Sequence, residues 1–151
     1  MTAQVSDILI YENERHHLQC EPLESYLKET ELPHKLVPTN SACWRGYIAT
    51  WAIDNKKLFL IKWEAHILDY VKVDIDYLFP GEEFVFAKWF TGKIKIPMGE
   101  CVKYVHGGYL SVYEGQKILT FENGIMIDEV TKWLSQEEIV KIQEVNKDLP
   151  F

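Results

Sequence analysis

No apolar run in this chain approaches the roughly 20 residues that span a bilayer; among the longest is Leu58 to Ile61. An integral membrane protein is therefore not expected. The acids Asp7, Glu12, Glu14, Glu21, Glu24 and Glu29 occupy the first thirty residues, where a secretory signal would need a basic stretch leading into an apolar one. Export by that route is not expected either. There are only three cysteines, Cys20, Cys43 and Cys101, an odd number at wide spacing, which suits reduced thiols in a cytoplasmic protein better than a disulfide framework. Gly107-Gly108 is not followed by Gly-Lys-Ser/Thr, so it is no phosphate loop. Ser111 and Thr50 lack the strand-turn-helix setting of a nucleophilic serine. No internal repeat, linker or low-complexity segment interrupts the chain, and residues 1–151 are read as one domain.

Basic charge is also scarce, and its distribution matters. The formal net charge is −7, with −4 on residues 1–40, +1 on residues 41–120 and −4 on residues 121–151. Nucleic acid is disfavoured, because phosphates require a basic footprint. Acidic ends around a neutral body suit a basic protein partner, or else form a solvated face that keeps the chain soluble.

What the chain does have is a hydrophobic content of 47% with 13% aromatic residues, the composition of a folded globular protein. Short apolar, aromatic-studded runs alternate with turn signals from Trp44 to Val130. Asp7 to Tyr11 reads as a strand, with a turn at Glu12-Asn13-Glu14 and a return over His16 to Cys20. Pro22, Pro33 and Pro38 then break up residues 21–41, leaving room for a helical turn or two over Leu23 to Leu27. From Arg45 to Ile53, the side chains of Tyr47, Ala49, Trp51 and Ile53 share one face at period two, which predicts a strand. Asp54-Asn55-Lys56 turns it into a partner over Lys57 to Trp63.

Val71, Val73 and Ile75 alternate with Lys72, Asp74 and Asp76, as in a strand with one wet face, closed by Leu78-Phe79-Pro80-Gly81. Phe84 to Phe90 is apolar at nearly every position and fits a buried strand or a short helix equally well. Further strands are expected at Lys93 to Ile96, stopped by Pro97, then at Cys101 to Val105 and at Tyr109 to Tyr113. Glu114-Gly115-Gln116 reads as the connection to Lys117 to Glu122. Asn123-Gly124 is the strongest hairpin signal, with Ile125 to Val130 as the returning strand. Ser135-Gln136-Glu137-Glu138 is a capping box, flanked by Leu134 and Ile139 as a hydrophobic staple, and it predicts a C-terminal helix. The fold class expected is α+β, predominantly antiparallel β as a sandwich or partial barrel, with this helix covering an edge or face.

His17-x-x-Cys20 with His16, and Cys101 with His106, carry donor types that zinc takes. No Cys-x-x-Cys pair accompanies them, and half-buried histidines and cysteines are the simpler reading, so neither metal nor cofactor is expected. Asp74-x-Asp76 would put two carboxylates on one strand face, but no third oxygen ligand lies near in sequence. No catalytic residue is assigned. The aromatic surplus suggests partner-binding anchors, since tryptophan, tyrosine and arginine combine large contact area with a polar handle. The candidates are Trp44, Arg45, Trp63, His106, Tyr109 and Tyr113.

The strings Trp44-Arg45-Gly46-Tyr47-Ile48-Ala49-Thr50-Trp51, Asp76 to Gly81 (Asp-Tyr-Leu-Phe-Pro-Gly), Val85 to Gly92 and Tyr104 to Glu114 resemble those of a family of small, uncharacterised bacterial proteins. The resemblance runs from about residue 7 to residue 130 and implies a bacterial cytosolic setting and nothing catalytic. Two functions are thus expected in order. The first is a non-enzymatic protein-binding module, such as an immunity-type inhibitor of a basic bacterial toxin. The second is a small-molecule binder or enzyme on a curved sheet, its ligand touched by His106, Arg45 or Asp74.

Overall fold

The computed structural model describes residues 5–38, 42–43, 45–103 and 112–147. In chain order its elements are β1 (Ile8–Tyr11), β2 (Glu14–His17), α1 (Glu24–Lys28), β3 (Tyr47–Asp54) and β4 (Lys57–Ile67). They continue with a 3-10 turn (Leu68–Tyr70), β5 (Val71–Val73), α2 (Ile75–Leu78), β6 (Val85–Phe86), β7 (Gly92–Lys103), β8 (Val112–Glu122), β9 (Ile125–Trp133) and α3 (Gln136–Lys147). Three two-residue turns set up the hairpins, at Glu12-Asn13, Asn55-Lys56 and Asn123-Gly124, with positive φ at both residues of each. That conformation matches the right-handed twist of the strands it joins.

The strands form one sheet in the order β2-β1-β3-β4-β9-β8-β7, with β5 and β6 also paired to β4. All pairings are antiparallel except β1 with β3, where Leu9 lies opposite Trp51. β6 takes the stretch of β4 at Phe59 and Leu60, so β9 meets β4 at one pair, Lys57 with Ile125. The sheet curls until Gln19 N–H, just past β2, reaches Lys95 O on β7 at 3.0 Å. It is not closed into a barrel. Among the described residues, no helix is long and apolar enough to cross a membrane.

Period-two patterning builds the core. Tyr47, Ala49 and Trp51 of β3 are buried on the face expected of them. On β4 the buried set changes parity, from Leu58 and Leu60 to Trp63 and Ala65, because Thr50 pairs with Lys62 and Trp51 with Leu60, leaving Ile61 as an extra residue. A bulge of this kind swaps the faces of everything beyond it. Leu9, Ile94, Ile96, Leu119 and Phe121 complete the interior, each burial stabilising the fold by about 1.5–3 kcal/mol.

Four expectations are corrected. Pro97 does not stop its strand, and β7 runs on to Lys103. β7 is the sheet's edge, and Lys95 O points outward to Gln19, so Pro97, two residues on, also faces outward and withholds no ladder donor from β8. Glu114-Gly115-Gln116 is no turn but lies within β8. There a Cβ on residue 115 would lie 2.4 Å from the Trp133 ring, so glycine makes room for the indole. Ile75 and Asp76 belong to α2, not to a strand; Asp74 is its N-cap, accepting Asp76 N–H at 3.1 Å. The ambiguous run Phe84 to Phe90 is neither a full strand nor a helix, because only Val85 and Phe86 pair before the chain turns. The strand expected from Tyr109 begins, among the described residues, at Val112. The capping box forms on both sides, with Glu138 N–H to Ser135 Oγ at 3.1 Å and Ser135 N–H to Glu138 Oε1 at 3.2 Å.

Candidate functional site

Two of the expected anchors turn out to be interior. Trp63 is 1% exposed, stacked on Tyr77 with centroids 6.3 Å apart, so it holds α2 to β4 and offers no face to a partner. Arg45 is drawn inward by Asp7, which is fully buried at the start of β1. The Arg45 Nη2–H donates to Asp7 Oδ1 at 2.7 Å, Ala49 N–H to the same oxygen at 3.1 Å, and Trp51 Nε1–H to Oδ2 at 3.2 Å. Arg45 also donates to Val5 O at 2.7 Å. Burial pushes the Asp7 carboxyl above its ordinary value, against the downward pull of Arg45 and the Ala49 and Trp51 donors. This cluster joins β1 to β3 and is structural. Tyr113, half-buried on β8, lines a cleft of about 440 Å³ with Gln19, Gln116, Trp133 and Glu138. Trp44, His106 and Tyr109 lie outside the described residues.

Beside the Asp7 cluster, the Tyr47 hydroxyl donates to Glu24 Oε1 at 2.8 Å. Its pKa is raised well above 10.0, first by burial and then by the charges of Asp7 and Glu24; Tyr11, bonded to Glu129, is raised by burial and that partner. Above pH 10 the unfolded chain would shed protons that the folded chain keeps, so the stability held below pH 10 declines as pH climbs beyond it. Titrating tyrosinate absorbance alongside circular dichroism should show at least two of the eight tyrosines, Tyr11 and Tyr47, ionising only as the fold is lost. Ionisation of all eight before the dichroism changes would contradict the burial of these hydroxyls.

Among the described residues, no group of three histidine, cysteine, aspartate or glutamate side chains is arranged to hold a metal ion. His17 Nδ1 is bonded to Ser6 Oγ at 2.9 Å. Burial pushes the Cys20 thiol up to about 11, which keeps it protonated and a poor ligand or nucleophile.

The segment that combines exposed apolar and acidic side chains is Leu68 to Phe84, which runs along β4 from β5, paired with residues 65–67, to Phe84, packed on Phe59 at 5.9 Å. Leu68, Tyr70, Val71 and Phe84 are 68%, 66%, 52% and 60% exposed. Among them stand five exposed acids, Asp69, Asp74, Asp76, Glu82 and Glu83, with Lys72 as the one base. The scaffold beneath is fixed. Asp69 and Tyr70 take left-handed φ of 65° and 58°, which ends β4 sharply before β5 folds back against its last three residues. Asp76 Oδ1 accepts Gly81 N–H at 2.7 Å, and Tyr77 OH bonds both the N–H and the C=O of His34. Asp74 and Asp76 line a cleft of about 440 Å³ with Lys72, Val73 and Tyr77. Of these residues, sequence reasoning had singled out only the aspartate pair; the signal available was four large apolar residues interleaved with acids in one short stretch.

Comparison with family models of known proteins, with curated proteins and with solved structures finds no significant match.

Proposed function

We propose that the chain is a non-enzymatic protein-binding module that engages a basic partner through the Leu68 to Phe84 face. The observation that carries this reading is the interleaving, along this one segment, of four exposed apolar side chains with five exposed acids. Exposed apolar groups rimmed by charge are the makings of an interface, with aromatic anchors supplying affinity and acids steering encounter. In its sharpest form the module is an immunity-type inhibitor of a basic bacterial toxin, acting in the cytoplasm. Nucleic acid is disfavoured as a partner, since this face would repel phosphate.

The test is recovery of partners by the tagged chain from the cell that makes it, compared with Tyr70→Ala and with Asp74→Lys. A basic protein bound in stoichiometric amount should lose roughly thirtyfold in affinity with Tyr70→Ala, a hot-spot effect of about 2 kcal/mol. With Asp74→Lys, association should slow and lose part of its salt dependence. Equal capture by all three proteins, or recovery of a small molecule alone, would overturn the assignment.

A further inference from the structure

β9 is the most exposed strand of the sheet. Every residue from Ile127 to Trp133 is exposed, with Ile127, Val130 and Trp133 at 59%, 38% and 59%. Among the described residues it pairs with β8 on one side, apart from a bulge at Ile127, and on the other it meets β4 at Ile125 alone. α3 leaves this second edge open, because Leu134 N–H turns back to Glu114 O at 2.8 Å and the helix runs towards β7. That bond also fixes the direction of the amides. Even-numbered positions in this half of β9 point at β8, so Glu129, Thr131 and Trp133 turn their N–H and C=O groups to the open edge. Among the described residues these seven positions have no partner on that edge, and with three large apolar side chains they are a template for a further strand.

We propose that the further strand is β9 of a second copy, paired antiparallel about a two-fold axis through Val130. Such an axis pairs positions of equal parity, because opposed side chains in a sheet share a face. Charge then selects the register. Centring on Asp128, Glu129 or Lys132 would set identical charges against each other, and centring on Thr131 would leave Asp128 opposite Leu134. Centring on Val130 sets Asp128 opposite Lys132 of the second copy, twice by symmetry, Val130 opposite Val130, and Ile127 towards Trp133. Among the described residues neither Asp128 nor Lys132 forms an ion pair within the chain. Opposite charges directly across a strand pair stabilise it, and like charges there oppose it. The strand is short, so the interface belongs to the small, reversible class, with a dissociation constant on the order of 10 μM.

Sedimentation equilibrium of the full chain at moderate salt, from about 1 μM to about 500 μM to bracket that constant, should show the 17.7 kDa chain passing to twice its mass. Asp128→Lys and Lys132→Asp alone should each weaken the dimer about tenfold or more, since each creates two like-charge pairs. The two changes together should restore it. Thr131→Pro removes an outward donor without touching the β8 ladder and should leave a folded monomer. A wild-type chain that stays at monomer mass throughout would overturn the proposal, as would a dimer indifferent to the charge changes or a double variant that fails to recover.

Discussion

Asp7→Asn is expected to cost about 3–5 kcal/mol of folding stability, as is Arg45→Met, because each leaves a buried group facing a partner that is no longer there. The Asp7 carboxylate is fully buried and accepts three N–H donors over both of its oxygens. An asparagine there must turn its own amide N–H₂ towards one of those donors, and it leaves the Arg45 guanidinium, with only 6% of its side chain exposed, without its nearest counter-charge. Glu21 at 3.8 Å is a distant substitute. Against a total of about 5–15 kcal/mol the loss is large. Urea unfolding followed by tryptophan fluorescence reads it directly, as a lower midpoint at unchanged slope. The paired change Asp7→Leu with Arg45→Met should lose clearly less than the two single losses added, since no uncompensated charge remains. If either single change moved stability by less than about 1 kcal/mol, the pair would have to be solvated in solution.

Gly124→Ala should be the most damaging single-methyl addition, at about 2–4 kcal/mol. The residue sits in the β8–β9 turn at a φ of 81°, which alone disfavours alanine by about 1 kcal/mol. A Cβ would also lie 2.5 Å from the carbonyl oxygen of Ala87 and 2.9 Å from the Phe86 ring. The backbone has no freedom to retreat. Gly124 N–H donates to Phe90 O at 2.8 Å, and its own carbonyl accepts Leu58 N–H at 2.9 Å. Gly81→Ala is the matched control, with a φ of 82° and nothing within 4 Å of the added carbon; it should cost only the conformational share. In thermal unfolding, Gly124→Ala should lower Tm by about 5–15 °C, and Gly81→Ala by no more than about 4 °C. Equal shifts would mean that the approach of Ala87 to the turn is looser than the structure has it.

These sites also mark what was legible in the sequence. The three hairpin turns, the buried face of β3 and the capping box at Ser135 are local features, each written within a few residues and each found where expected. What stayed hidden depends on distant neighbours. Arg45 and Trp63 read as anchor candidates because nothing beside them in the chain announces Asp7 or Tyr77 as partners. Gly115 reads as a turn until Trp133 is seen to need its space. Pro97 reads as a stop until β7 is known to be an edge. The acid and apolar residues of the Leu68 to Phe84 face were visible one by one. The helix over Ile75–Leu78 was masked by the alternation at Val71 to Asp76.

The parallel pairing of β1 with β3 has a bearing on how the molecule assembles. The three hairpins close over turns of two residues, on a timescale of microseconds. Seating β1 beside β3 instead brings Asp7 to Trp51 across a separation of 44 residues, and the chain entropy of closing so long a loop has to be met before any contact there is formed. By loop-closure statistics the hairpins come first and the distant pieces follow: β1 docks on a preformed β3–β4 ribbon, and β9 reaches Lys57 of β4 through Ile125 across a still longer stretch of chain.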